Sequence, residues 1–326
     1  MKKAQSAQVL DEVMRTFSRR ITFVRFDSYT AQQNLMDPHK SLSEALDKYG
    51  TQDPKQTVSH RGVAAYALDL REDIFKETPR IITLDTKGAS NEDLLAELVS
   101  HFNTQLRWLL VSACESYFIF IKEIYGAIGY LDQGLWPCEH YGPIRLREVK
   151  HQTLTWYKER IKKIRADDIF KNLRIYLPDL GRYECPSYMP NPKFWILLIE
   201  KFRHSIVHAG GIIDIRFLID YLAKSLNLRF NKRTTLPPIM MRMLKSHFKM
   251  VNTQPHIWLV DETGIRSRSY ALIDRPFSRL IEELSSHACL VYACAIMHFG
   301  QKPYWERQNN CSIHRRRVHD GVPGEG

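Results

Sequence analysis

Apolar residues recur at helical spacing through most of SNEDLLAELVSHFNTQLRWLLVSACESYFIFIKEIYGAIG, residues 90–129. Positions three and four residues apart share one face of an α-helix, so this pattern predicts one long helix or two helices in line. Ser90 and Asp93 have capping-box spacing and would begin it, and the glycines at 126, 129 and 134 would end it. The predicted apolar face comprises Leu94, Leu98, Phe102, Leu106, Leu109, Ala113, Tyr117, Ile121 and Ile124.

Helical patterning returns in several later segments, so the fold is expected to be mainly α. A short hairpin turning at Thr263 and Gly264 is predicted before the last helix, and no internal repeat is evident. The later helical segments are LREVKHQTLTWYKERIKKIR, KFWILLIEKFRHSIVHAGG, IIDIRFLIDYLAKSLNL, PPIMMRMLKSHFKM and FSRLIEELSSHACLVYACAIMHF.

The first ninety residues have a mixed, irregular α/β pattern. They suggest a helix over AQVLDEVMRTF, a strand over ITFVRF, a short helix from Ser41, and a strand within PRIITLDTKG. We therefore divide the chain into an N-terminal region of unknown role (1–90), a helical domain (91–300) and a basic tail (301–326) expected to be disordered.

The composition is that of a globular protein, with 44% hydrophobic and 25% charged residues, but the net charge is +11. A basic surface attracts polyanions, which makes nucleic acid the leading class of partner. Six cysteines without a C-x-x-C pair, and an N-terminus without the apolar core of a signal peptide, favour reduced thiols and a cytoplasmic location. The apolar runs are shorter than the ~20 residues of a membrane span, so no membrane association is expected.

The stretch EKFRHSIVHAGG, residues 200–211, combines a strongly apolar helix with three basic side chains and a glycine stop. The apolar stripe of the whole predicted helix, KFWILLIEKFRHSIVHAGG, is expected to face the core and contains Trp195, Leu198, Ile199, Phe202, Ile206 and Ala209. His204 and His208 lie one turn apart on the opposite side, and Arg203 lies on the flank. Arg203, His204 and His208 are therefore candidate site residues.

Spacing alone does not distinguish these residues, because Arg242 and His247 have the same separation as Arg203 and His208. Solvated histidines, or histidines that pack against another helix without doing chemistry, are the plain alternatives. A zinc site is disfavoured, since HSIVH lacks the glutamate of H-E-x-x-H and no obvious third ligand follows. His287, Cys289, Cys294 and His298 are spread around one helix and favour core packing or exposure over metal binding, so neither metal nor cofactor is expected.

The context of FRHSIVHAGG resembles the HEPN family (higher eukaryotes and prokaryotes nucleotide-binding domains), whose motif is arginine, a polar residue, three to five residues, then histidine. Arg203, His204 and His208 match it, with histidine where asparagine or aspartate is commoner. The helix QLRWLLVSACESYFIFIKEI, with Glu115 at its middle, looks like the leading helix of larger bacterial members. The resemblance covers about residues 90–300, and the first ninety residues match nothing in the family.

The resemblance implies a HEPN-like helical bundle that forms a homodimer and acts as a metal-independent endoribonuclease in toxin–antitoxin, antiphage or RNA-processing systems. His208 would move a proton, Arg203 would stabilise charge on phosphate, and His204 would orient the phosphate or ribose. RNA and an antitoxin or neighbouring defence protein are then the expected partners. The alternative is a catalytically inactive HEPN-like module that binds nucleotide or protein. A DNA-binding regulator is disfavoured, because no recognition helix follows a tight turn.

Overall fold

The computed structural model describes residues 2–49, 63–66, 81–84, 91–144, 146–184, 190–228, 235–263 and 273–307. Helix dominates these residues, which confirms the mainly α class. Among these residues, two small two-stranded antiparallel sheets accompany the helices: β1 (Val63–Tyr66) pairs with β2 (Ile81–Leu84), and β3 (Phe248–Val251) pairs with β4 (Gln254–Ile257). Strand β2 lies where PRIITLDTKG predicted one.

The first helix, α1 (Lys2–Tyr49), continues through the segment ITFVRF that was predicted to be a strand. That prediction is wrong because Phe17, Ile21 and Val24 recur at helical intervals and are all buried. No separate helix begins at Ser41 either, since α1 passes through it. Tertiary packing has here overridden the preference of β-branched and aromatic residues for strands.

Helix α1 packs along two other long helices, α2 (Asn91–Leu131) and α11 (Arg275–His298). The Phe17 and Phe120 rings lie 4.9 Å apart between α1 and α2. Contacts of Ser28 with Asp274, and of Asp11 with Tyr292, run in opposite directions along the two chains, so α1 and α11 are antiparallel. Residues of all three helices belong to one hydrophobic core.

Helix α2 forms as one helix, and the predicted start at Ser90 lies outside the described residues. Gly126 and Gly129 do not end α2, which continues to Leu131. A Cβ at Gly129 would lie 2.3 Å from the Trp136 ring, so this glycine lets the tryptophan pack against the helix. The Asp132 side chain then accepts from the Gly134 backbone N–H and begins a short 3-10 turn, Gln133–Leu135.

Five short helices lie in the described residues between the end of α2 and residue 184. The predicted basic helix over residues 146–165 is interrupted at 150–153, where the Thr153 hydroxyl caps a new helix by accepting from the Trp156 N–H. The five are α3 (Cys138–Tyr141), α4 (Leu146–Val149), α5 (Leu154–Ile161), α6 (Ala166–Tyr176) and α7 (Pro178–Glu184).

The next helices are α8 (Pro192–Ala209), α9 (Ile215–Ser225) and α10 (Pro238–Lys245). The first two agree with the sequence patterns, but the helix predicted through PPIMMRMLKSHFKM ends at Lys245, and Phe248 begins strand β3. A hairpin of β3 and β4 lies ahead of the predicted one and turns at Asn252 and Thr253. Both residues have positive φ, as a type I′ turn requires. Thr263 lies in a helical turn, and Gly264 lies outside the described residues.

The predicted disorder of the tail is wrong at its beginning, where residues 301–307 pack against the fold. Arg307 donates to both carboxylate oxygens of Asp11 at 2.6 Å, and the Tyr292 hydroxyl donates to the same carboxylate. Residues 308–326 lie outside the described residues.

Helix α11 is long and apolar enough to cross a membrane by length and composition, but 56% of its most apolar window is buried inside the fold. This is the behaviour of a core helix and is consistent with a soluble protein.

Candidate functional site

Helix α8 carries the three predicted site residues. The Asn191 side chain caps it by accepting from the Phe194 N–H at 2.9 Å, and Pro192 occupies its first position. Five of the six stripe residues are buried as predicted, namely Trp195, Leu198, Ile199, Phe202 and Ile206. Ala209 is exposed instead, because α8 ends there and Gly210 turns the chain away with φ of 58°.

His204 and His208 lie on the solvent side of α8, where the sequence placed them, and both are exposed. Their ring centroids are 4.6 Å apart, and the rings are tilted by 52°. Two imidazoles can therefore reach the same small ligand. This position excludes the possibility that either histidine is a core residue.

Arg203 is directed toward helix α2 and contacts Glu115. Its Nε donates to Glu115 Oε1 at 2.5 Å, and an Nη also contacts this oxygen. The two side chains are 33% and 47% exposed, so the pair lies at the surface, where solvent screens it. The guanidinium keeps donors that the carboxylate does not use, which a phosphate oxygen can reach.

Sequence reasoning missed a second arginine, Arg107 on α2. Its Nη1 donates to the Gly210 carbonyl at 2.6 Å, at the C-terminal end of α8, and its other Nη donates to Thr104 Oγ1. Burial lowers the pKa of the Arg107 guanidinium. Because Arg107 meets Gly210 while Glu115 meets Arg203, α2 and α8 are antiparallel, and their arginines lie at opposite ends of the histidine pair.

Gly211 makes room for Arg107. Its φ is +89°, and a Cβ there would lie 2.3 Å from Arg107 Nη1. Its carbonyl accepts from the Ile257 N–H at 2.8 Å, while buried Asn103 on α2 donates to the Ile257 carbonyl. These bonds fix the end of α8 against α2 and β4. The double glycine was the signal in the sequence for a close approach of this kind.

Two ionisable groups near Arg203 are kept neutral or made less acidic by burial. Burial raises the pKa of the Cys114 thiol to about 12, although the charge of Arg203 opposes this. Burial also raises the pKa of Glu200, and the Asp167 carboxylate adds to the effect. Cys114 is therefore a packing residue and not a nucleophile.

Arg242 and His247 have the same spacing as Arg203 and His208, but their surroundings in the fold are different. His247 is buried against Trp195 and Phe202, and its Nδ1 lies 2.8 Å from the Met243 carbonyl oxygen. Burial lowers the pKa of His247 to about 4. A histidine in this position is neutral at pH 7 and has a packing role.

The two histidines and two cysteines on α11 are not brought together as a metal site. His287 is buried between the Tyr117 hydroxyl and the Glu184 carboxylate, each 2.7 Å away, whereas His298 is exposed. Burial alone would raise the pKa of Glu184, but hydrogen bonds from His287 and Arg174 lower it overall. Within the described ranges, no group of three or more His, Cys, Asp or Glu side chains is arranged to hold a metal ion.

Compared with known proteins, this chain matches no protein-family model, no curated protein and no solved structure.

Proposed function

We propose that this protein is a metal-independent endoribonuclease of HEPN type that cleaves RNA through attack of the 2′-hydroxyl. The observation that supports this most strongly is the exposed pair of imidazoles, His204 and His208, with 4.6 Å between ring centroids and Arg203 on the same helix. Histidine is the side chain that exchanges protons near neutral pH, and arginine is suited to phosphate. Exposure leaves all three accessible to a polymer too large for a closed pocket.

In the proposed reaction, His208 takes the proton from the 2′-hydroxyl as its oxygen attacks phosphorus. The bond to the 5′-oxygen breaks, that oxygen takes a proton from water, and a 2′,3′-cyclic phosphate remains, while His208 later returns its proton to solvent. Arg203 stabilises the negative charge that collects on the phosphoryl oxygens. His204 orients the phosphate or the scissile ribose.

RNA is the proposed substrate because the chain carries a net charge of +11 and the site has a second cation, Arg107. A homodimer, a cytoplasmic location and a toxin or defence role, with an antitoxin or neighbouring protein as partner, belong to the same proposal. Trp108 and Val207, which are 55% and 40% exposed on α2 and α8, offer apolar surface for the second copy beside the motif.

The second candidate is an inactive HEPN-like module that binds a nucleotide or a protein. The ion pair between Arg203 and Glu115 favours it, because a carboxylate already occupies part of the guanidinium that catalysis would use. If the protein is an enzyme, Arg203 must contact the RNA phosphate while it stays paired with Glu115, or the phosphate must displace Glu115.

The test incubates purified protein with end-labelled total RNA in EDTA and compares wild type with His208→Ala. His298→Ala is the matched control, because His298 is an exposed histidine in the last turn of α11, as His208 is in the last turn of α8. Cleavage by wild type and His298→Ala, but not by His208→Ala, with 2′,3′-cyclic phosphate ends, supports the enzyme. No cleavage by any of the three proteins favours the inactive module. Equal cleavage by all three shows that cleavage does not depend on His208 and removes the assigned site.

The toxin role has a separate test in growing cells. Expression of wild type is expected to slow growth, and Arg203→Ala or His208→Ala is expected to relieve this while the protein stays folded. Equal toxicity of all three proteins would remove the assigned site.

A further inference from the structure

Helix α1 exposes three large aromatic side chains in seven residues. Phe23, Phe26 and Tyr29 are between 59% and 68% exposed. The helix itself is firmly held, since its opposite face is buried against α2 and α11. These rings therefore form a fixed, solvent-facing aromatic ridge, which we define as Phe23, Phe26 and Tyr29.

The ridge continues into basic residues. At about 100° per residue, exposed Arg15 and Arg19 lie within about 40° of Phe26 around the helix axis. Arg25 is also exposed and lies on one flank, while Asp27 lies on the other. Among the described residues, no acidic side chain forms an ion pair with Arg15, Arg19 or Arg25.

A shallow groove of about 340 Å³ joins the two halves of this surface. It is lined by Arg15, Ser18, Arg19, Thr22 and Phe23. A ligand with a flat ring and a negative charge can place the ring on Phe23 and the charge near the arginines.

We propose that the aromatic ridge and its arginines bind single-stranded RNA. Proteins bind single strands by stacking bases on aromatic side chains while basic residues contact the phosphates. Successive ridge residues are three positions apart, or about 4.5 Å along the helix axis. This is wider than the about 3.4 Å between stacked bases, so neighbouring unstacked bases can each meet one ring.

Two other occupants fit this surface less well. A membrane would bury only three rings, because Thr22, Thr30 and Gln33 share the outer face, and interfacial helices need a larger apolar face. A second helix would need apolar residues at the a and d positions of successive heptads, and the same polar residues interrupt such a repeat.

This inference is independent of the proposed catalysis, because it is tested by binding alone. The probe is a fluorescently labelled single-stranded RNA with 2′-O-methyl at every ribose, which cannot be cleaved by 2′-hydroxyl attack. The test variant is Phe23→Leu with Phe26→Leu, which keeps apolar area but removes the aromatic faces. The rescue variant is Phe23→Tyr with Phe26→Tyr.

The matched control is Phe217→Leu on α9, since Phe217 and Phe26 are both 63% exposed. We expect the leucine pair to raise the Kd for the RNA by about tenfold or more in fluorescence anisotropy. The tyrosine pair and Phe217→Leu should stay within about twofold of wild type, because stacking is kept in the first and untouched in the second. Circular dichroism melts should not change, because both residues are exposed.

A duplex RNA of the same sequence should show no difference between wild type and the leucine pair, since its bases are not free to stack on the ridge. The proposal is overturned if the leucine pair binds the single strand as wild type does, or if Phe217→Leu loses as much affinity. It is also overturned if the ridge variants lose binding to phosphatidylserine vesicles or self-association while their RNA affinity is unchanged.

Discussion

Arg203 on α8 and Glu115 on α2 form an ion pair across 88 residues of sequence. The pair fixes the guanidinium beside the helix that carries His204 and His208, but it also places a negative charge where a phosphate would bind. The pair is partly exposed, so its contribution to stability is small. Its main effect should therefore be on ligand binding.

The first prediction concerns Glu115→Gln. Removing the carboxylate frees the Arg203 donors and removes a repulsive charge, so affinity for a non-cleavable RNA should rise roughly two- to fivefold. The free energy of unfolding should change by less than about 1 kcal/mol. Fluorescence anisotropy and urea titration measure the two quantities. A fall in affinity would mean that Glu115 orients Arg203 for the ligand and does not compete with it.

The second prediction concerns the double glycine. Gly211→Ala should destabilise the protein by about 2 to 3 kcal/mol, because φ is +89° and the new Cβ would meet Arg107 Nη1. Gly210→Ala should cost only about 1 kcal/mol, since φ is +58° and no atom lies within 4 Å of its Cβ. Adding Arg107→Ala to each variant should remove the part of the cost that comes from this clash, at Gly211 alone, while the strain of the positive φ remains. Equal costs at the two glycines would contradict the close approach of Arg107.

The third prediction concerns acid stability and His247. Its pKa is about 4 in the fold, while an unfolded histidine has the ordinary value of 6.5. Between these values the unfolded chain binds a proton that the native protein does not, so stability falls as the pH is lowered from about 6.5 to about 4. The loss from this residue should reach about 3 kcal/mol.

Urea titrations across that pH range measure this loss, with His247→Gln as the comparison. The variant should be less stable at pH 7, because it disturbs buried packing, but its pH dependence should be weaker by the amount above. An unchanged slope in His247→Gln would exclude His247 as the cause. His247 has the same spacing from an arginine as His208, which would make His247→Ala a natural control for activity. Its burial makes it unsuitable, and exposed His298 replaces it.

The sequence predicted α8 well because its signals are local. The apolar stripe, Pro192 and the glycines after Ala209 determine its face and both ends. It failed at ITFVRF, where long-range packing of α1 outweighs local strand propensity. The hairpin of β3 and β4 was missed, because its turn at Asn252 and Thr253 lacks the glycine that usually marks a type I′ turn. Both residues nevertheless adopt positive φ.

The geometry of the candidate site was predicted only in part, because local signals determine the exposure of a side chain but not its partners on other helices. The exposure of His204 and His208 follows from helical periodicity. The partners of the two arginines do not, because Glu115 and Gly210 are brought to Arg203 and Arg107 by the antiparallel packing of α2 and α8. The double glycine indicated a close approach at the end of α8, but it did not show that Arg107 makes this approach.

The last prediction concerns the proposed homodimer. Val207 is 40% exposed on the same helical turn as His208, so burying a charge there should prevent a second copy from packing over the motif. Val207→Glu should raise the dimer Kd by at least about tenfold and lower cleavage in parallel. Ile175→Glu, at an exposed isoleucine on α6, is the matched control and should leave both unchanged. Light scattering after size-exclusion chromatography measures the assembly. A wild type that is monomeric at every concentration tested, or a Val207→Glu variant that stays dimeric, would show that a second copy does not cover this face.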